Sequence, residues 1–270
     1  MNKHWRARQK MSQESVEPLL APLSSMPLGP LGNNYPRRAR MMKRGGGRLR
    51  RVPEEAQICQ FIPNGPPTAL YDIGVGTHAE FLTLKEIYPE LLVFGCEPHI
   101  EEYRYLLPFF GGPLANVAIS DSPGKAILYR SPFSIGGSTL FGGRGHSDEH
   151  EVDVITLDQF DAWAGRQEKI LLWMDIEDSE LAALRSGADL LRSGRVEWLN
   201  VETRNVPGYS GSPSTADITT LLEPYGYVPV HRHNVQGSYP EAPGDTFYFK
   251  VGVKPLIDGN TEGILFYRAT

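Results

Sequence analysis

Short apolar runs of strand length alternate with segments of helix length along this chain, and four of the runs carry an acid at or beside their exit. Ala69-Leu70-Tyr71-Asp72-Ile73 passes into Gly74-Val75-Gly76-Thr77, and Leu91 to Cys96 ends at Glu97-Pro98. Ile170 to Met174 ends at Asp175, and Val196 to Val201 at Glu202. Runs that are apolar at nearly every position suit strands buried on both faces, as in an open, largely parallel sheet covered by helices. Helices are expected over Ala79 to Tyr88, Ile100 to Leu107 (stopped by Pro108) and Ser179 to Leu191. Further strands are expected at Asn116–Ile119 with a hairpin partner at Ala126–Tyr129, at Tyr227–Val230 and at Thr246–Val251.

Ligands of such sheets bind outside the carboxyl ends of the strands, where these acids fall. Some acids there only cap the following helix, and Asp178 and Ser179 are expected to do that. Asp72 and Glu97 point to a ligand instead. In Asp72-x-Gly74-x-Gly76 the missing side chains let a ligand approach the turn backbone. Glu97, 25 residues after Asp72, is placed to accept the hydroxyls of a cofactor ribose. Both NAD and S-adenosylmethionine satisfy this pattern. The third glycine of a pyrophosphate turn is His78 here, and its side chain crowds a diphosphate. S-adenosylmethionine, which has no phosphates, fits better.

With these motifs the sequence resembles the FkbM-type S-adenosylmethionine-dependent methyltransferases, from about Leu70 to Tyr227. Tyr71-Asp72-Ile73-Gly74-Val75-Gly76 resembles the family's glycine loop, and Phe94-Gly95-Cys96-Glu97-Pro98 its second-strand ending. Asn116 to Gly124, Gly137-Ser138-Thr139-Leu140, Val154 to Asp158, Met174 to Leu184 and Val201-Glu202 follow in the family's order. The chain departs from the usual pattern at Gly76, His78, Trp173 and Asp178. The resemblance implies a Rossmann-like class I methyltransferase fold: a mostly parallel seven-stranded sheet with helices on both faces. It also implies S-adenosyl-L-methionine as cofactor, held by Asp72, Gly74, Gly76, Thr77, Glu97, Pro98, Ser120 and Asp175, and a sugar, glycan or secondary-metabolite hydroxyl as acceptor.

A hydroxyl acceptor benefits from a base within hydrogen-bond reach. Asp175 and Glu177, two apart at a strand end, are the leading candidates, with His231 a third; a local capping and salt-bridge role is the alternative for Glu177. Glu180 is read as structural, an acid in the first turn of its helix. His146 and His150 have a helical metal-ligand spacing, but Gly142-Gly143-Arg144-Gly145 before them favours a polar loop. Asp175, Glu177 and Glu202 offer oxygen ligands that Mg²⁺ accepts. Their spacing does not demand an ion, and no metal is expected.

The net charge of −5 hides an asymmetry. Residues 1–52 hold twelve Lys and Arg against two acids, a net +10, which leaves −15 for residues 53–270. The first segment is rich in Pro and Gly and poor in periodic apolar positions, so it is expected to be a flexible arm ahead of a methyltransferase domain over 53–270. Its charge raises an alternative, a nucleic-acid methyltransferase or binding module; the acidic remainder argues against it. A second alternative is an NAD-dependent oxidoreductase, disfavoured by His78. Acids and prolines interrupt the arm's apolar stretch, so no secretory leader is expected. No apolar run nears the roughly 20 residues of a membrane helix. Two cysteines, Cys59 and Cys96, suit a reducing, cytoplasmic setting.

Overall fold

The structure, a computed structural model, describes residues 66–76, 80–130, 138–140, 148–203, 213–232 and 244–250, with backbone alone at 80, 83 and 86 and over 230–232 and 244–250. The expected basic arm lies outside the described residues. In chain order the elements are β1 (Ala69–Ile73), α1 (Glu80–Ile87), β2 (Leu92–Cys96), α2 (Ile100–Leu106), β3 (Leu114–Ala115), β4 (Ala118–Ile119), β5 (Gly124–Arg130) and β6 (Asp148–Ile155). They continue with α3 (Leu157–Trp163), β7 (Ile170–Met174), α4 (Glu180–Arg185), α5 (Ala188–Ser193), β8 (Val196–Thr203), α6 (Thr215–Leu222), β9 (Tyr227–Arg232) and β10 (Gly244–Lys250).

β1 and β7 are buried at all five positions and form the middle of the large sheet, which runs β3-β2-β1-β7-β8-β10-β9. β3, β2, β1, β7 and β8 are mutually parallel; β10 is antiparallel to both β8 and β9. Side chains alternate between two cores, as a period of two requires. Tyr71, Ile73, Leu172, Met174, Leu199 and Val201 meet α3 to α6 through Phe160, Leu184, Leu191 and Ile218. Leu70, Val93, Leu171, Trp173 and Trp198 meet α1 and α2 through Phe81, Leu84 and Leu106. The mostly parallel sheet with helices on both faces is the architecture the apolar runs predict. No helix among the described residues is long and apolar enough to cross a membrane.

Several local expectations need correction. The stretch after Asn116 does not form a hairpin with β5. Instead β4 pairs in parallel with β6, and β5 pairs antiparallel with β6, making a separate three-stranded sheet ordered β4-β6-β5. His150 therefore lies on strand β6, not in a polar loop; His146 lies outside the described residues. The helix expected over 179–191 is two helices, α4 and α5, broken at Ser186-Gly187. A β-carbon at Gly187 would stand 2.6 Å from Leu157 Cδ2, so the glycine lets α3 close on the break. The carboxylate of Asp158 on α3 accepts from Leu190 N (2.8 Å) and Asp189 N (3.2 Å), giving α5 a cap from a neighbouring element. Local periodicity cannot show a cap of that kind. Ser179 precedes α4 without a side-chain capping bond, so the capping expected there is not made by Ser179. Glu180 does structural work, as expected: its Oε1 accepts from Ile176 N at 3.0 Å.

At the amino ends of the strands, away from the acids, Asp161 ties three elements together. It accepts from Tyr71 Oη (2.9 Å) and pairs with both guanidinium nitrogens of Arg195, with Asp161 4% exposed. Arg195 also donates to Gln167 O at 2.7 Å. Removing one partner of a buried pair strands the other charge at about 3–5 kcal/mol. Asp161→Ala is therefore expected to lower Tm by roughly 6–20 °C at about 2–4 °C per kcal/mol. Calorimetric melting checks the value. Ligand affinity of the protein that remains folded should not change, because this cluster sits at the opposite ends of the strands from the acids.

Candidate active site

The strand order reverses at β1, whose neighbours are β2 on one side and β7 on the other, and a cleft opens at the carboxyl ends of these strands. One side is built by Gly74, Gly76, Glu97 and Pro98, the other by Asp175, Ile176, Glu177 and Ser179. Ala118, Ile119, Leu128 and Leu140 of the small sheet and its flank supply an apolar wall.

The turn after β1 is fixed by its backbone. Gly74 N and Val75 N both donate to Cys96 O (3.1 and 3.2 Å), joining the ends of β1 and β2. Gly74 has φ +85°, and a β-carbon there would stand 2.1 Å from Asp175 O. Gly76 has φ +51°, yet among the described residues a β-carbon there meets only Gly74 O, at 3.9 Å. The two glycines thus serve different ends: Gly74 lets β7 approach, and Gly76 leaves the cleft open. Gly74→Ala is expected to lower Tm markedly, through a backbone clash on top of left-handed strain. Gly76→Ala should cost only the strain, about 1 kcal/mol, while weakening ligand binding. Parallel melting and titration of the two variants checks the contrast.

Glu97, 4% exposed, turns its carboxylate back to the chain. Oε2 accepts from Gly76 N (2.9 Å) and Oε1 from His99 N (2.7 Å). Each oxygen keeps a further lone pair for a ligand. Burial pushes Glu97 up to about 7, against the pull of the two N–H bonds. Asn116 Nδ2 braces the segment by donating to Glu97 O (2.8 Å) and Pro98 O (3.0 Å).

Across the cleft, Asp175 N donates to Ile73 O (3.1 Å), extending the β1–β7 ladder by one rung. Glu177 and Asp178 then take left-handed φ values of +51° and +81°, strained for side chains other than glycine. Thr139 Oγ1 donates to Glu177 O (2.6 Å) and holds this turn from the small-sheet side. The turn brings carboxylate oxygens of Asp175, Glu177 and Glu202 within 4.8 Å of one another, a separation that one cation can bridge; acidic groups also cluster this way without an ion. Behind them burial, then the charge of Glu202, pushes Glu180 well above the usual carboxylate range.

The remaining sequence candidates fall elsewhere. Asp72 is buried within β1, opposite Gly95 and Trp173, and is not among the cleft-lining residues. Ser120 follows β4 and donates its N–H to Ile155 O, also outside the lining. Thr77 and His78 lie outside the described residues. The backbone of His231 is on β9, the edge strand, three strand spacings or roughly 14 Å from β7. Glu102 carries no signal in the sequence, while Asn116 and Thr139 stand there only within motifs and Ser179 only as an expected cap. Glu102 and Ser179 line the cleft, and Asn116 and Thr139 brace its two sides.

Residues 72–229, more than half of the chain and both sides of the cleft, match the profile of the methyltransferase FkbM domain. The chain belongs to the FkbM methyltransferase family. No curated protein matches it. Among solved structures, this FkbM methyltransferase is similar to magnesium protoporphyrin IX methyltransferase from Synechocystis PCC 6803 with bound SAM, at 11% identity and TM-score 0.38, over 79% of this chain and 91% of that one. It is similar to WbdD at 14% identity and TM-score 0.42, over 73% and 39% of the two chains. It is also similar to a putative rRNA-methylase from Clostridium thermocellum at 9% identity and TM-score 0.44, over 73% and 95%. Likenesses so distant decide neither cofactor nor acceptor for the FkbM methyltransferase described above.

Proposed function

We propose that this FkbM methyltransferase uses S-adenosyl-L-methionine to methylate a hydroxyl of a sugar, glycan or related metabolite. The observation that carries the reading is the pairing of two unlike sides in one cleft: a glycine turn beside the buried Glu97 carboxylate, facing Asp175 and Glu177. The residues fit the cofactor. Gly76 leaves open space where a side chain would stand, and Glu97 retains lone pairs for ribose hydroxyls after bonding two backbone N–H groups.

In this reading Gly74, Gly76, Glu97 and Pro98 hold the nucleoside end. When bound, the cofactor supplies a methyl group already activated on a sulfonium. The protein's own part is placement and proton handling. Asp175 orients the acceptor hydroxyl and takes up its proton at a carboxylate oxygen, with Glu177 in the same group of carboxylates. The apolar wall of Ala118, Ile119, Leu128 and Leu140 limits water in the cleft. His231 remains a second candidate base for the acceptor side.

The acidic cluster favours a neutral or cationic acceptor and repels a polyanion, which argues against nucleic acid as substrate. Residues 1–52 are proposed to be an arm dispensable for cofactor binding. Calorimetry with S-adenosylmethionine and NAD tests the cofactor reading. Binding of the first with a silent second is expected, and the reverse result would replace the proposal with an oxidoreductase.

A further inference from the structure

Glu102 lies in the first turn of α2, 7% exposed, and lines the cleft beside Glu97 and Pro98. Its Oε1 is buried and has no hydrogen-bond partner among the described residues. Arg130, whose charge acts on Glu102, directs Nη1 to Glu101 Oε2 instead, at 3.5 Å. Neither ring nitrogen of the adjacent, 1% exposed His99 has a partner among the described residues; the ring packs edge-on against His150 at 5.2 Å. A buried carboxyl oxygen left unpaired is a standing penalty on the fold. Its position in a ligand cleft gives that penalty a reason.

We propose that Glu102 is the second carboxyl of the nucleoside subsite, making a hydrogen bond to the adenosyl part of the cofactor in addition to the bonds made by Glu97. This rests on reading the cleft as the S-adenosylmethionine site. The two carboxyls suit different tasks. Burial, then the charge of Glu97, pushes Glu102 up to about 8, with Glu101 adding to the rise and Arg130 opposing it. Near neutral pH Glu102 therefore carries a proton and offers an O–H donor, which Glu97 cannot offer once ionised. Together they present a donor and an acceptor to the hydroxyl and ring-nitrogen groups of a nucleoside.

The test is calorimetric titration of wild type, Glu102→Ala and Glu102→Gln with S-adenosylhomocysteine and with 5′-methylthioadenosine, which lacks the amino-acid end. Glu102→Ala is expected to weaken both ligands by about the same factor, roughly tenfold, without lowering Tm. Glu102→Gln keeps a donor and an acceptor of the same reach, so its affinity should stay close to wild type. Unchanged affinity of Glu102→Ala for 5′-methylthioadenosine overturns the inference. A loss that appears only with a fall in Tm, and that Gln does not rescue, assigns Glu102 to the fold and overturns it as well. A wild-type protein that binds neither ligand brings down the cofactor reading itself, a result distinct from both.

Discussion

Asp175→Asn is expected to melt with the wild type and bind S-adenosylmethionine within a few-fold, yet turn over roughly 10²–10⁴-fold more slowly, the usual contribution of a positioned acid or base. The fold should survive because Asp175 is held by its main chain: its N–H bonds Ile73 O, and its own carbonyl packs against Gly74. Asn keeps the size of the side chain and removes only the ability to take a proton. A panel of hydroxylated sugars with a radiolabelled methyl donor supplies the assay. Full turnover on a productive acceptor would refute the catalytic assignment and shift it to Glu177 or His231. An early melt with normal specific turnover would instead show that Asp175 braces the turn into α4.

Glu97→Ala is expected to weaken S-adenosylmethionine binding by about tenfold to a hundredfold, the worth of charge-assisted bonds to neutral donors at roughly 1.5–3 kcal/mol. Wild-type affinity should also depend on pH. The ionised carboxylate accepts the ribose hydroxyls, and burial holds Glu97 up to about 7, so affinity falls as pH drops below that value. Stability follows the opposite sign. The folded-state value lies above the unfolded one of about 4.3, so this group's contribution is fully present below about pH 4.3 and is lost as pH rises through about 7. Titrations between about pH 6 and 8 check the slope, and Glu97→Gln should flatten the part that Glu97 causes. Equal affinity of Glu97→Ala and wild type would end the ribose assignment.

The middle of the fold was legible because its signals are local. Ala69–Ile73 and Ile170–Met174 are apolar at nearly every position, and only a strand covered on both faces accommodates that composition. Glycines and acids at the strand exits marked the mouth of the cleft for the same reason. What stayed hidden depends on distant partners. Asp158 caps α5 from another helix, and Gly187 breaks a continuous apolar period because Leu157 needs the space. β4 takes β6 as its partner even though β5 follows more closely in the chain, a choice made by tertiary pairing. In the cleft, Glu97 and Asp175 stand at exits where fold and chemistry coincide. Glu102 looks like any helix-surface acid until the small sheet and α2 enclose it. Thr139 reaches Glu177 across 38 positions of sequence.

The place of β10 bears on how the protein is made. β9 precedes it in the chain, yet β10 enters between β8 and β9 and pairs with both. During synthesis β8 must wait for residues 244–250, leaving a long strand with an unsatisfied backbone edge open to its surroundings. Such edges pair promiscuously with other chains until they are covered. Closing the sheet also demands contacts distant in sequence, which slow the final step. The nascent chain thus passes through its most aggregation-prone interval after the cofactor-side motifs have emerged and before the last strand slots in, and holding chaperones would act in that interval.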